Sequence, residues 1–138
     1  MTKEENKRLV EEYPFLMPRD YSGEPIEGYD YEYTLMDAMP EGWRKAFGDA
    51  LLKELKEELV KSGLLDEYRI VQIKEKYGEL RWYDNGNTRK GHDILTKYCV
   101  LSGSTCIKCG KLAKYMSRGW ISPYCEDCVP NKEFADII

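Results

Sequence analysis

Cys106-Ile-Lys-Cys109-Gly110 and Cys125-Glu-Asp-Cys128 decide how this chain is read. Fifteen residues separate the two pairs, inside the spacing window of four-thiolate zinc sites. A tetrahedral Zn²⁺ needs four soft donors converging on one point. Each Cys-x-x-Cys turn supplies two, and a hairpin between the turns brings the halves together. Lys114-Tyr-Met116 and Gly119-Trp-Ile121, around Ser117-Arg118, are the short β-like runs such a hairpin requires. Gly110 permits the turn in which backbone N–H groups point at the sulfurs. A structural zinc on Cys106, Cys109, Cys125 and Cys128 is the expectation, with disulfides or a redox pair as competitors.

Four thiolates fill the tetrahedron, whereas a catalytic zinc keeps one position open. The zinc deaminase pattern is also absent: His92-Asp93-Ile94 is not His-x-Glu, and Pro123 is not adjacent to Cys125. A nuclease of the HNH type would place histidines around its metal, and this chain has one. His92, beside Gly91, reads as a solvated side chain. Cys99 reads as a small buried apolar residue, since no activating base is identifiable near it. Asp93, Glu75 and Glu79 are acid–base candidates only by proximity in sequence. No catalytic residue is assigned.

Upstream of the cysteines, Thr2 and Glu5 match a capping box that opens a helix running to about Glu12, stopped by Pro14. Residues 13–40 are expected to be irregular. Within them Tyr29, Tyr31 and Tyr33 alternate with acids, the period of a half-buried extended segment. Trp43, Phe47, Leu51, Leu55 and Leu59, flanked by Ala46, Ala50 and Leu52, mark a long amphipathic helix that Ser62-Gly63 ends. Tyr68 to Lys76 reads as a strand with Val71 and Ile73 on one face and Tyr68 and Ile70 on the other. Gly78 turns the chain into a second strand, Leu80–Tyr83. A second helix, about Asp93 to Leu101, carries Ile94, Leu95, Tyr98 and Leu101 inward. The fold class is α+β: a long helix on a small antiparallel sheet, a second helix, and a C-terminal zinc ribbon. Residues 1–103 are expected to form the α+β part and 104–138 the ribbon and tail, packed as one unit.

The chain has 138 residues, a net charge of −4, 42% hydrophobic and 33% charged residues, as a globular protein has. No apolar run approaches the roughly 18 residues of a membrane span, and the charged N-terminus lacks a signal-peptide core. A cytoplasmic location is expected, where thiols stay reduced and favour zinc over disulfides. Charge is unevenly spread. Residues 1–67 hold 9 Lys/Arg against 17 Asp/Glu, whereas residues 68–125 hold 11 against 4. Either two halves attract each other or the basic block meets an acidic partner. That block interleaves cations with aromatics, the composition of single-strand binders. Lys74, Lys76, Arg81, Lys111, Lys114 and Arg118 are the candidate nucleic-acid contacts. Trp82 and Trp120 are also large enough to be core residues. Tyr29, Tyr31 and Tyr33, on the acidic side, are the candidate contacts for a protein partner.

Lys74-Glu-Lys-Tyr-Gly-Glu-Leu-Arg-Trp-Tyr83, Ser102, Cys106-x-x-Cys109-Gly110, Gly119-Trp120 and Cys125-x-x-Cys128, preceded by Gly42-Trp43, resemble a group of small uncharacterised phage, prophage and bacterial proteins. The resemblance covers about residues 40–128. In many relatives the last metal position is His, where this chain has Cys128. The group carries no activity to transfer and implies a phage-type accessory protein that binds rather than catalyses. The leading expectation is a non-enzymatic protein, in a bacterial host cell, that binds and modulates a host or phage protein. A zinc-ribbon protein that binds nucleic acid through residues 68–125 is the alternative.

Overall fold

The computed structural model describes all 138 residues, Met1–Ile138. Its class is α+β, with three helices and two small antiparallel sheets. Helix α1 (Lys3–Glu12) opens on the expected capping box: Thr2 accepts the Glu5 N–H, and the Glu5 carboxylate accepts the Thr2 N–H. From Pro14 to Pro40 the chain forms turns and two short 3₁₀ segments, Pro14–Leu16 and Leu35–Ala38.

The long helix, α2, covers residues 41–61 in three parts: Glu41–Trp43, a π-helical turn Arg44–Gly48, and Asp49–Lys61. Trp43, Phe47, Leu51, Leu52, Leu55 and Leu59 are all buried. Each such side chain contributes about 1.5–3 kcal/mol by leaving water, so packing of this stripe outweighs local propensity in holding the helix. Ala46 and Ala50, expected to widen the stripe, are exposed. Ser62 caps the end and Gly63 takes the left-handed conformation at φ +72°.

Strands β1 (Arg69–Lys76) and β2 (Glu79–Asn85) form an antiparallel hairpin. Ile73 pairs with Trp82 and Glu75 with Leu80, on the face turned to the core. Gln72, Lys74 and Lys76 pair with Tyr83, Arg81 and Glu79 on the opposite face. A bulge between Ile70 and Gln72 changes the expected alternation. Val71 does not share the inner face with Ile73; it is 60% exposed. One extra residue on the strand flips the pattern, so Ile70 and Ile73 both serve the core. Under the sheet, buried Tyr68 donates to Asp84 Oδ2 at 2.6 Å and accepts from Trp82 Nε1 at 2.8 Å.

Helix α3 (Arg89–Ser102) begins earlier than expected, because Thr88 caps it by accepting the Gly91 N–H. Ser102 Oγ accepts the Leu80 N–H, so the end of α3 closes the free edge of β2. Leu95 and Tyr98 face inward, and the Tyr98 ring stacks on Phe47 at 5.4 Å. Leu101 is exposed, contrary to expectation. The last sheet has the order β4-β3-β5: β3 (Tyr115–Ser117), β4 (Pro123–Tyr124) and β5 (Ala135–Ile137). The third strand comes from the tail and was not expected.

The ribbon is seated on the start of α2 by two glycines. Gly42 N–H donates to the Ile107 carbonyl at 2.9 Å, and Trp43 Nε1 to the Thr105 carbonyl at 3.0 Å. A Cβ on Gly42 would lie 2.2 Å from the Cys106 carbonyl oxygen, and one on Gly110 would lie 2.7 Å from the Gly42 carbonyl. Gly42→Ala is therefore expected to destabilise the protein by about 1–3 kcal/mol through overpacking, despite alanine's better helix propensity. A denaturant melt with a midpoint at or above wild type contradicts this seat.

Candidate metal centre

The first knuckle grows out of the chain's return from α3. Cys106 N–H donates to the Lys111 carbonyl at 2.7 Å and Gly110 N–H to the Cys106 carbonyl at 3.0 Å, closing a tight turn around Ile107-Lys108. Gly110 adopts φ +85°, a conformation open to glycine without strain. The Ile107 N–H donates to the Pro123 carbonyl at 2.9 Å and the Lys114 N–H to the Tyr124 carbonyl at 2.8 Å. These bonds lay the second cysteine pair beside the first. There the Cys128 and Val129 N–H groups both donate to the Cys125 carbonyl.

The four sulfurs of Cys106, Cys109, Cys125 and Cys128 all lie within 4.8 Å of one another, with Cys109 and Cys125 at 3.5 Å. Zn–S bonds of about 2.3 Å in a tetrahedron place sulfurs about 3.8 Å apart, so the spacing fits that ion. Cys106 and Cys125 are buried, and Cys109 and Cys128 are partly exposed. Burial pushes the Cys106 thiol up, but N–H groups of Cys125, Cys109 and Lys108 outweigh it and bring the thiol down to about 7. Cys128 is pushed up to about 12, by its hydrogen bond to Cys125 and then by desolvation. Without a cation the set holds its protons unequally, because adjacent thiolates repel. A divalent cation reverses that preference and deprotonates coordinating thiols. The donor chemistry and the distances both fit a four-thiolate zinc, whose contribution when bound is to tie the two knuckles together.

Cys99 lies outside this group. Burial pushes its thiol up to about 11 against the opposing pull of the Arg81 guanidinium, which leaves a protonated, unreactive side chain. His92 and Asp93 are exposed in the first turn of α3 rather than in a loop. Glu75 Oε2 accepts the Gly78 N–H, and Glu79 pairs with Arg81.

The other candidate contacts fall in separate places. Lys74, Lys76 and Arg81 share the outward face of the β1–β2 hairpin. Lys111, Lys114 and Arg118 lie on the ribbon, where Lys111 pairs with Asp127 and Arg118 with Asp136. Lys74, Lys76 and Lys114 make no ion pair. Tyr29, Tyr31 and Tyr33 do not form an extended segment. Tyr31 has φ +66°, the Asn6 amide donates to its carbonyl, and the Tyr29 hydroxyl donates to the Tyr33 carbonyl at 2.5 Å. The loop folds onto itself and onto α1 because asparagine at position 6 claims its backbone. Trp82 is buried as expected, but Trp120 is 80% exposed. Tyr77, 70% exposed at the hairpin turn, is the surface residue that charge and spacing did not single out. Its signal was the Tyr-Gly pair in a turn that favours Asn-Gly.

Compared with known protein families, curated proteins and solved structures, the chain matches none.

Purified reduced protein is expected to carry equimolar zinc, to lose it on Cys125→Ser, and to keep it on Cys99→Ser. Chelation should accelerate hydrogen exchange first across residues 104–128, since metal binding is folding energy for such segments. A metal-free protein with unchanged exchange there would show that the sulfurs are not ligands.

Proposed function

We propose that this chain is a non-enzymatic, zinc-stapled binding protein of the phage type its motifs resemble, and that it engages nucleic acid through the outward face of the β1–β2 hairpin. A sulfur-only site leaves zinc no vacancy for substrate or water, so the metal's part is to hold shape. The observation that carries the contact surface is the pairing of Lys74 with Arg81 and of Gln72 with Tyr83 on one outward face. Lys76 extends that face, and the Arg81–Glu79 pair at 2.9 Å is its single ion pair. Exposed pairs of that kind are worth little and exchange readily for a phosphate.

The two-halves account of the charge asymmetry draws on one ion pair, Lys97–Glu54 at 2.7 Å, and leaves the hairpin cations unspent. Partnership with a host or phage protein through Tyr29, Tyr31 and Tyr33 keeps Tyr33, which is exposed, in its favour. The other two rings pack edge to face at 5.0 Å and are half-buried, which leaves less of that surface to give.

Three cations on a single-stranded backbone imply a slope of log affinity on log salt of about −2, since each phosphate contact contributes roughly −0.7. Oligonucleotide binding followed by anisotropy is expected to show it, and Lys74→Glu with Lys76→Glu to flatten it. Salt-independent binding, or none at low salt in either strand form, overturns this reading. Recovery of one defined protein from nuclease-treated bacterial lysate in its place would favour the protein partner.

A further inference from the structure

The hairpin turn contains only Tyr77 and Gly78 between the paired Lys76 and Glu79, and both have positive φ, at +53° and +82°. That backbone matches the twist of the strands and draws Asn-Gly or Asp-Gly. A tyrosine there bears the steric penalty of the left-handed region. Its ring gains no burial in return, being 70% exposed, with Lys76 Nζ 5.7 Å from its centre. A strained residue whose side chain does nothing for the fold points to a role outside it.

Trp120, 80% exposed, lines the same cleft of about 280 Å³ as Tyr77. Its loop is pinned. Ser117 Oγ donates to the Trp120 carbonyl at 2.5 Å and accepts the Ser122 N–H at 2.9 Å, and the Ser117 N–H donates to the Ser122 carbonyl at 3.0 Å. Gly78 is buried against the ribbon, where a Cβ would lie 3.2 Å from Met116 Sδ and 3.4 Å from Ile121 Cγ2. The turn that carries Tyr77 and the loop that carries Trp120 are thereby held against each other. The backbone that carries each ring is already ordered.

We propose that Tyr77 and Trp120 are a stacking step for unpaired nucleobases, so that this protein selects single-stranded over duplex nucleic acid. The inference rests on the hairpin face as the phosphate contact and names the form of nucleic acid that face receives. Bases of a duplex are already stacked on each other and offer no free π-face to a protruding ring. Those of a single strand can be splayed onto aromatic side chains. The charge layout agrees with this division. Glu75 lines the same cleft, its carboxylate fixed by the Gly78 N–H at 2.8 Å, and disfavours a phosphate there. Lys74 and Lys76 border the same cleft and lie on the outward face where a backbone would run. The Trp120 loop lies between the two cysteine pairs, so the metal sets the position of one of the two rings.

The test uses zinc-loaded full-length protein with a labelled twelve-nucleotide strand of mixed sequence and the duplex of the same sequence. The strand is expected to bind at least tenfold more tightly. Trp120→Ala and Tyr77→Ala should each weaken strand binding roughly tenfold while leaving duplex binding unchanged. Tyr77→Asn should hold or raise Tm by a few degrees, by removing the strain, and still lose strand affinity. Equal affinity for strand and duplex, or full strand binding by Trp120→Ala, overturns the stacking step and leaves the phosphate-binding face standing. A Tyr77→Asn protein that melts lower and binds normally overturns it as well. Absence of binding to either form overturns both.

Discussion

Four cysteine sulfurs brought within 4.8 Å of one another can all be thiolates only when a cation neutralises them. Apart from those four cysteines, the C-terminal region has little of its own to hold it. Its buried apolar side chains away from the cysteines are few and small: Ala113, Pro123 and Ala135. A patch of that size cannot offset the conformational entropy of ordering some thirty residues at about 1–2 kcal/mol each. A metal held by the four sulfurs would add folding energy there, alongside the seat on α2. The same economy accounts for the tail strand β5. It gives β3 a second partner and makes a three-stranded sheet of what would be a two-stranded hairpin, a form that is marginal on its own.

The seat also connects the cysteine cluster to the main core. Gly42 and Gly110 let two backbones approach where any side chain would collide, and the next residue, Trp43, is fully buried. Immediately after it the helix widens into the π-turn. Residues four apart on a regular α-helix precess by about 40° at each step, because a turn takes 3.6 residues. Trp43, Phe47, Leu51, Leu55 and Leu59 would wind well around the helix over that distance. A wider turn with i→i+5 bonding brings Phe47 and Leu51 back toward the side of Trp43. The π-turn thus reconciles a tryptophan committed to the ribbon with a leucine stripe committed to the sheet and α3. A glycine at position 48 assists, since a Cβ there would meet Met36 Cε at 2.9 Å.

Much of this was legible in the residues because it rests on local rules. The Thr2–Glu5 capping box, the apolar stripe of α2, the Ser62-Gly63 stop and the Cys-x-x-Cys turns each carry their signal within a few positions. What was misread depended on contacts between distant segments. Val71 looked like a partner of Ile73 until the bulge shifted the strand. Tyr29, Tyr31 and Tyr33 alternated like a strand, but Asn6, far away in sequence, holds Tyr31 in a bend. Trp120 and Trp82 are alike as residue types; only the ribbon's turn at Ser117–Ser122 places one in solvent and the hairpin pairing places the other inside. The clustering of the four cysteines followed from spacing, whereas the aromatic cleft needed two turns that are some forty residues apart.

The charge map gives the hairpin surface a direction. The acidic first half of the sequence and the basic block meet through one ion pair, and the ribbon's Lys111 and Arg118 are matched by Asp127 and Asp136. Two lysines of the hairpin, Lys74 and Lys76, remain unmatched beside the two most exposed rings of the basic block, Tyr77 and Trp120. A chain with a net charge of −4 offers a polyanion little attraction overall, so the proposed contact relies on a local surplus of cations, Lys74, Lys76 and Arg81 against Glu79 on the hairpin face. It therefore relies on orientation more than on raw affinity, with the Gly78 turn and the Ser117–Ser122 loop holding the two backbones in place. A face already ordered in the free protein loses less entropy on binding, and the proposed contact relies on that economy because Lys74 and Lys76 are its only unmatched cations.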